Sequence, residues 1–98
     1  MRVILLDSKA VDEVIPVSFD FSRLLSSIDS VIVTITVRKG VDATPSTLLF
    51  NTAEIKGTMV SQLIKSGIDG VIYKIKAKAI SGDLQYSLPA YLPVKEPM

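Results

Sequence analysis

The chain has 98 residues, 48% of them hydrophobic and 21% charged, with a formal net charge of +1 and no Cys, His or Trp. That length and composition suit one apolar core and lie far from the low-hydrophobicity, high-charge regime of disordered chains, so residues 1–98 are expected to form a single domain. Disulfides, thiolate or imidazole metal sites and Ser-His or Cys-His nucleophiles are excluded, and eleven basic against ten acidic residues leave no overall field to draw the chain onto DNA or an anionic membrane.

In Met1-Arg2-Val3-Ile4-Leu5-Leu6 a basic residue precedes an apolar run that Asp7 ends after four residues. That is shorter than the roughly 7–15 residues of a signal core, and no stretch approaches the ~20 of a membrane helix. A soluble, non-secreted protein without membrane contact is expected. Residues 1–8 read as an N-terminal strand or arm. It is apolar on both faces, so it must be covered by its own domain or by a neighbour's sheet edge, which makes Val3, Ile4, Leu5 and Leu6 candidate subunit contacts.

Two-residue alternation dominates the remainder. Ile15, Val17, Phe19 and Phe21 alternate with Pro16, Ser18 and Asp20, and the proline suits an edge strand or its start. Ser22–Ser27 is too short for a helix and predicts a single turn that plugs one end of the fold with Leu24 or Leu25. Val31, Val33, Ile35 and Val37 form the inward row of a core strand over Ser30–Arg38. Loop signals at Lys39-Gly40, Asp42–Ser46, Asn51-Thr52 and Lys56-Gly57 bracket strand candidates at Leu48–Phe50, Ala53–Lys56 and Thr58–Lys65. In the last, Gln62 shares a face with Val60 and Ile64, which a bulge would explain; a helix over Val60–Ile68 is the competing reading.

From Val71 to Ile80 the inward set is Tyr73, Ile75, Ala77 and Ala79, and the outward set includes Lys74, Lys76 and Lys78. After Ser81-Gly82-Asp83, Leu84, Tyr86, Leu88 and Ala90 continue one face of a partner strand, so the two segments predict a hairpin. Residues 92–98 read as an extended, proline-containing tail that projects or lies along the surface, with Tyr91, Leu92 and Val94 as further candidate subunit contacts. About seven short strands and no long helix predict an all-β, antiparallel two-sheet sandwich of immunoglobulin or fibronectin-III-like type. Tyr73, entering the penultimate strand after Gly67–Gly70, is either the corner tyrosine of such sandwiches or a core aromatic with its hydroxyl at the rim.

Little in the sequence carries catalysis. The carboxylates are scattered through turns without calcium-loop spacing, and no cofactor, metal or catalytic residue is expected. Lys74, Lys76 and Lys78 stand roughly 6.5–7 Å apart on one strand face, near the phosphate spacing of a nucleic-acid strand. Only Ile72 and Ile80 accompany them on that face, and a single-strand platform needs stacking aromatics, so a solvated charged face is the preferred reading.

The run Lys9-Ala10-Val11-Asp12-Glu13-Val14-Ile15-Pro16-Val17-Ser18-Phe19-Asp20-Phe21-Ser22 resembles the opening of small tailed-phage and prophage virion proteins. These begin with a Lys-x-x-x-Glu segment, then a strand ending in Asp-aromatic-Ser, and a turn carrying Leu24-Leu25. Gly67-Ile68-Asp69-Gly70-Val71-Ile72-Tyr73 and the Ser81-Gly82 hairpin are similar to their penultimate-strand region, so the likeness spans Lys9 to Leu88. The resemblance implies an immunoglobulin-like structural or accessory protein, located in the host cytoplasm during assembly and then in the virion, with other virion proteins or its own copies as partners. The alternative is a ligand-binding module, for carbohydrate at end loops or nucleic acid on the Lys74, Lys76 and Lys78 face.

Overall fold

The computed structural model describes residues 4–6 and 8–96. Seven strands account for nearly all regular structure: β1 (Ile4–Leu5), β2 (Ile15–Asp20), β3 (Ser30–Lys39), β4 (Glu54–Lys56), β5 (Met59–Ile64), β6 (Ile72–Ser81) and β7 (Leu84–Pro93). One four-residue 3-10 turn, η1 (Pro45–Leu48), is the sole helical element among the described residues. The strands form two sheets, ordered β1-β7-β6-β3 and β2-β5-β4. All pairings are antiparallel except the short parallel contact of β1 with β7.

The alternation in the sequence has a direct physical cause. Each sheet turns one face onto a shared core, so every second residue is withdrawn from water. In β6 these are Tyr73, Ile75, Ala77 and Ala79, and they meet Val17, Phe19, Val60 and Ile64 from β2 and β5 in one apolar cluster. The alanines on β6 leave room for these larger side chains to interdigitate across the core. In β3, Val31, Val33, Ile35 and Val37 take the inner row, although only Ile35 is fully buried, because β3 is an edge strand. The turn after β2 is closed by the Leu24 and Leu25 N–H groups, both donating to Phe21 O at 2.9 Å; Leu25 plugs the core and Leu24 faces out.

Three sequence-based expectations are corrected. Leu48–Phe50 is not a strand: Pro45 starts η1, Thr47 Oγ1 donates to Thr44 O, and the turn drives Leu48 into the core. β5 is neither helical nor bulged, since its register with β2 and β4 is unbroken. Gln62 is buried there because its Nε2 donates to Asn51 O, Asn51 Oδ1 and Leu63 O. The only register shift in the β3–β6 pair falls between Val37 and Lys39. The tail expected from residue 92 is instead structural: β7 runs to Pro93, Leu92 and Val94 are core residues, and Val94 bridges Lys9. Leu84, Tyr86, Leu88 and Ala90 share one face of β7 as the alternation predicts, and Leu84 and Tyr86 remain exposed because the β6–β7 strands outrun the shorter opposing sheet.

Two glycines illustrate how the turns are held. Gly82 takes the first position of the two-residue hairpin loop with φ +57° and open space around it. Gly67 has φ +105°, and a Cβ there would lie 2.8 Å from Val94 Cγ2. Gly67→Ala therefore combines backbone strain with a clash and is expected to cost about 2–4 kcal/mol, against about 1 kcal/mol for Gly82→Ala. Urea unfolding of the two variants checks the difference; equal losses would show that the Gly67 packing does not matter.

Candidate interaction surfaces

Ionic groups concentrate in two places. One is the end of the sheets where the chain enters β2 and leaves β5 and β7. There Lys9, fully withdrawn from solvent, points its ammonium at three carbonyl oxygens: Ala10 at 2.6 Å, Ser66 at 2.7 Å and Val11 at 3.2 Å. The three donors of the group match three acceptors, which is how a buried lysine is tolerated. Burial pushes its pKa below the ordinary lysine value, and the carboxylates of Glu13, Asp12 and Glu96 act in the opposite direction. The backbone of Lys9 is equally committed: its N–H donates to Pro93 O and its carbonyl accepts from Lys95 N–H, both at 2.9 Å.

Around this group the loops are tied to one another. Glu13 Oε1 accepts from Ala10 N–H at 2.7 Å, which gives the Lys-x-x-x-Glu spacing a structural meaning: lysine and glutamate fasten the same turn from its two sides. Glu96 Oε1 accepts from Val11 N–H, and Asp69 Oδ1 accepts from Glu96 N–H. Ser66 holds a left-handed φ of 58°, a conformation that costs a non-glycine residue of order 1 kcal/mol, and its carbonyl is one of the three that Lys9 binds.

Tyr73 lies at the same end. Its side chain is buried, its hydroxyl accepts from Ile68 N–H at 3.0 Å and donates to Asp42 Oδ2 at 2.7 Å, and Asp42 Oδ1 in turn accepts from Thr44 N–H. One phenol thus ties the loop before β6 to the loop after β3.

The second place is the outer face of the β3–β6–β7 sheet. Lys74, Lys76 and Lys78 project from the central strand β6, opposite Thr36, Thr34 and Ile32 of β3 and Tyr91, Pro89 and Ser87 of β7. Arg38, at the register shift of β3, reaches across to place its guanidinium 5.7 Å from the centre of the Tyr91 ring. No acidic residue occurs anywhere in the three strands. The only ion pair among the described residues, Lys56–Glu54, is elsewhere and exposed. The result is a flat face with four cations, two threonines and the exposed Ile32. Two-residue alternation in β3 sets Arg38 on the outer row with Ile32, Thr34 and Thr36; what the sequence does not show is its stacking on Tyr91 across β6.

The candidate subunit contacts fare differently. Val3 lies outside the described residues. The backbone of Ile4 and Leu5 pairs with Ala90 and Tyr91 of the same chain, and Leu6 N–H continues the ladder to Tyr91 O. Leu6 packs against the core. Leu92 and Val94 are corrected: their side chains are buried in the core and unavailable to a partner, because β7 and the segment after it are held between β6 and the N-terminal segment. Tyr91 remains at the surface under Arg38.

Cationic and threonine side chains thus spread over one sheet face of a small all-β protein, and no group of three or more His, Cys, Asp or Glu is placed to hold a metal among the described residues. A family model described as podophage GP4 fiber-tail adaptor protein gp77 matches residues 9–85, and the chain belongs to that family, a structural family of tailed-phage virions. The match begins at Lys9 and takes in β2 to β6 and the hairpin turn. No curated protein and no solved structure matches the chain.

The Tyr73 geometry makes stability depend on alkaline pH. Burial first, then the hydrogen bond to Asp42, pushes the phenol from 10.0 up to about 12, partly opposed by the Ile68 N–H. The unfolded chain loses this proton before the folded one, so stability is full below about pH 10 and falls between about pH 10 and about 12. Tyr73→Phe is expected to cost about 1–2 kcal/mol at neutral pH, by leaving Asp42 and Ile68 N–H unpaired, and to remove that part of the alkaline decline. Urea midpoints across this range check it; an unchanged alkaline slope in the variant would count against it.

Proposed function

We propose that the chain is a non-enzymatic adaptor that joins other proteins in the virion through its sheet faces, as the description of its family suggests. The observation that carries this reading is the family match, supported by the acid-free cationic face of β3, β6 and β7, whose cations Arg38, Lys74, Lys76 and Lys78 fit an acidic protein surface. Complementary charge of this kind steers encounter and fixes orientation more than it adds affinity. Tyr91 is already stacked under Arg38, and no second aromatic accompanies it on the face, so a protein surface suits this face better than a single nucleic-acid strand.

The strand orders support an immunoglobulin-like sandwich as the scaffold. β2-β5-β4 corresponds to strands B, E and D, β3, β6 and β7 to C, F and G, and β1 lies beside the last strand. On this reading Tyr73, at the start of the sixth strand with its hydroxyl bonded to the backbone five residues upstream, takes the place of the corner tyrosine.

The reading is tested in the encoding phage by replacing Lys74, Lys76 and Lys78 together with glutamate. The expected result is a folded protein that no longer enters purified particles, while the wild type is found in them by mass spectrometry. Normal incorporation of the variant would move the contact to another surface, and absence of the wild-type chain from particles would sink the adaptor reading. Salt-sensitive binding of a DNA oligonucleotide that disappears in the lysine-to-glutamine variant would instead assign the face to nucleic acid.

A further inference from the structure

The two sheets leave strand edges open, and those edges are not alike. β1 is two residues long, β4 is three residues with Glu54 and Lys56, β2 carries Pro16, and the part of β7 beyond the β1 pairing ends in Pro89. Each bears a device that discourages pairing with another chain: shortness, charge or a missing N–H. β3 is neither short nor interrupted by proline, carries charge only at Arg38 and Lys39, and, although η1 packs near it, shares no backbone hydrogen bond with that segment. It is ten residues long and pairs with β6 on one side, and no backbone hydrogen bond among the described residues reaches its other side. Between its ends lie seven consecutive β-branched residues, Val31-Ile32-Val33-Thr34-Ile35-Thr36-Val37, without charge, Gly or Pro. Along the inner row Val31, Val33 and Val37 are only half-buried, and Ile32 on the outer row is 51% exposed.

We propose that this edge pairs with the same edge of a second copy, antiparallel about a two-fold axis through Thr34. The run is its own complement in that register. Val31 faces Val37, Val33 faces Ile35, Ile32 faces Thr36 and Thr34 faces itself, so every β-branched residue meets another and inner rows join inner rows. Charge selects the same direction. Antiparallel pairing sets Arg38 and Lys39 of each copy beside Ser30 and Asp29 of the other, whereas parallel pairing would stack four cations at one end. The two four-stranded sheets become one continuous sheet of eight, with the cationic faces side by side. Self-pairing does not depend on what the cationic face binds, and its test reads association alone.

The absence of cysteine makes the register directly readable. In Thr34→Cys the two sulfurs face each other across the axis, and oxidation is expected to give a disulfide-linked dimer. In Thr36→Cys the equivalent positions stand four residues apart along the ladder, about 13 Å, beyond disulfide reach. Light scattering of the wild type is expected to give twice the chain mass over a concentration series. Thr34→Lys, at an exposed position, is expected to keep the fold by circular dichroism while reverting to monomer mass, because two ammonium groups would stand directly opposed. Monomer mass for the wild type, cross-linking at position 36 but not 34, or a Thr34→Lys dimer would each overturn the proposal.

Discussion

A single buried ammonium organises one whole end of the molecule. Lys9 binds the carbonyls of the turn that follows it and the carbonyl of Ser66 before β6, while its backbone bonds Pro93 and Lys95. Three segments far apart in sequence are thereby fixed to one another: the entry to β2, the link between the two sheets and the end of the chain. Ala10 O also accepts from Glu13 N–H, whereas the hydrogen bonds from the charged ammonium, worth about 1.5–3 kcal/mol each, are what join this turn to Ser66 and close this end. The strained backbone of Ser66 and the tight approach of Gly67 to Val94 are sustained by that closure.

The closure also decides which surfaces remain for partners. Val94 and Lys95 are held between Val71 and Lys9, Leu92 and Val94 are buried, and Ile4 and Leu5 pair with β7, so these segments are engaged within the chain. What is left is the opposite side of the same sheet: the β3 edge and the outer face with Arg38, Lys74, Lys76 and Lys78. Membership in a structural family of tailed phages fits a molecule with an acid-free cationic face and a ten-residue edge strand on the same sheet. The Tyr73–Asp42 bond ties the loops beside this sheet and keeps β3 in place against β6.

The parts legible in the sequence were those governed by one-sided burial. Val31 to Val37 and Tyr73 to Ala79 alternate because water is on one side and the core on the other, and no distant residue is needed to read that. The misreadings came where a partner far along the chain decides the outcome. Gln62 looked like a disruption of its strand because its acceptor, Asn51, lies in another loop. Pro93 suggested a tail, yet its carbonyl is taken by Lys9 from the other end of the chain. Leu84 and Tyr86 continue a sound alternation past the point where the opposing sheet stops. The lysine row and the outward place of Arg38 were plain from alternation, whereas Lys9 had only a motif resemblance to single it out, since a lone lysine carries no sign of burial.

The direct test of the role given to Lys9 is amide hydrogen exchange in the wild type and in Lys9→Met, which keeps an unbranched side chain and removes the charge and its three donors. The amides of Val94 and Lys95 are expected to exchange about 100-fold faster or more in the variant, while those of Ile75 and Ala77 at the centre of β6 change far less. Unchanged protection at Val94 and Lys95 would contradict the claim that this ammonium holds the end of the molecule together.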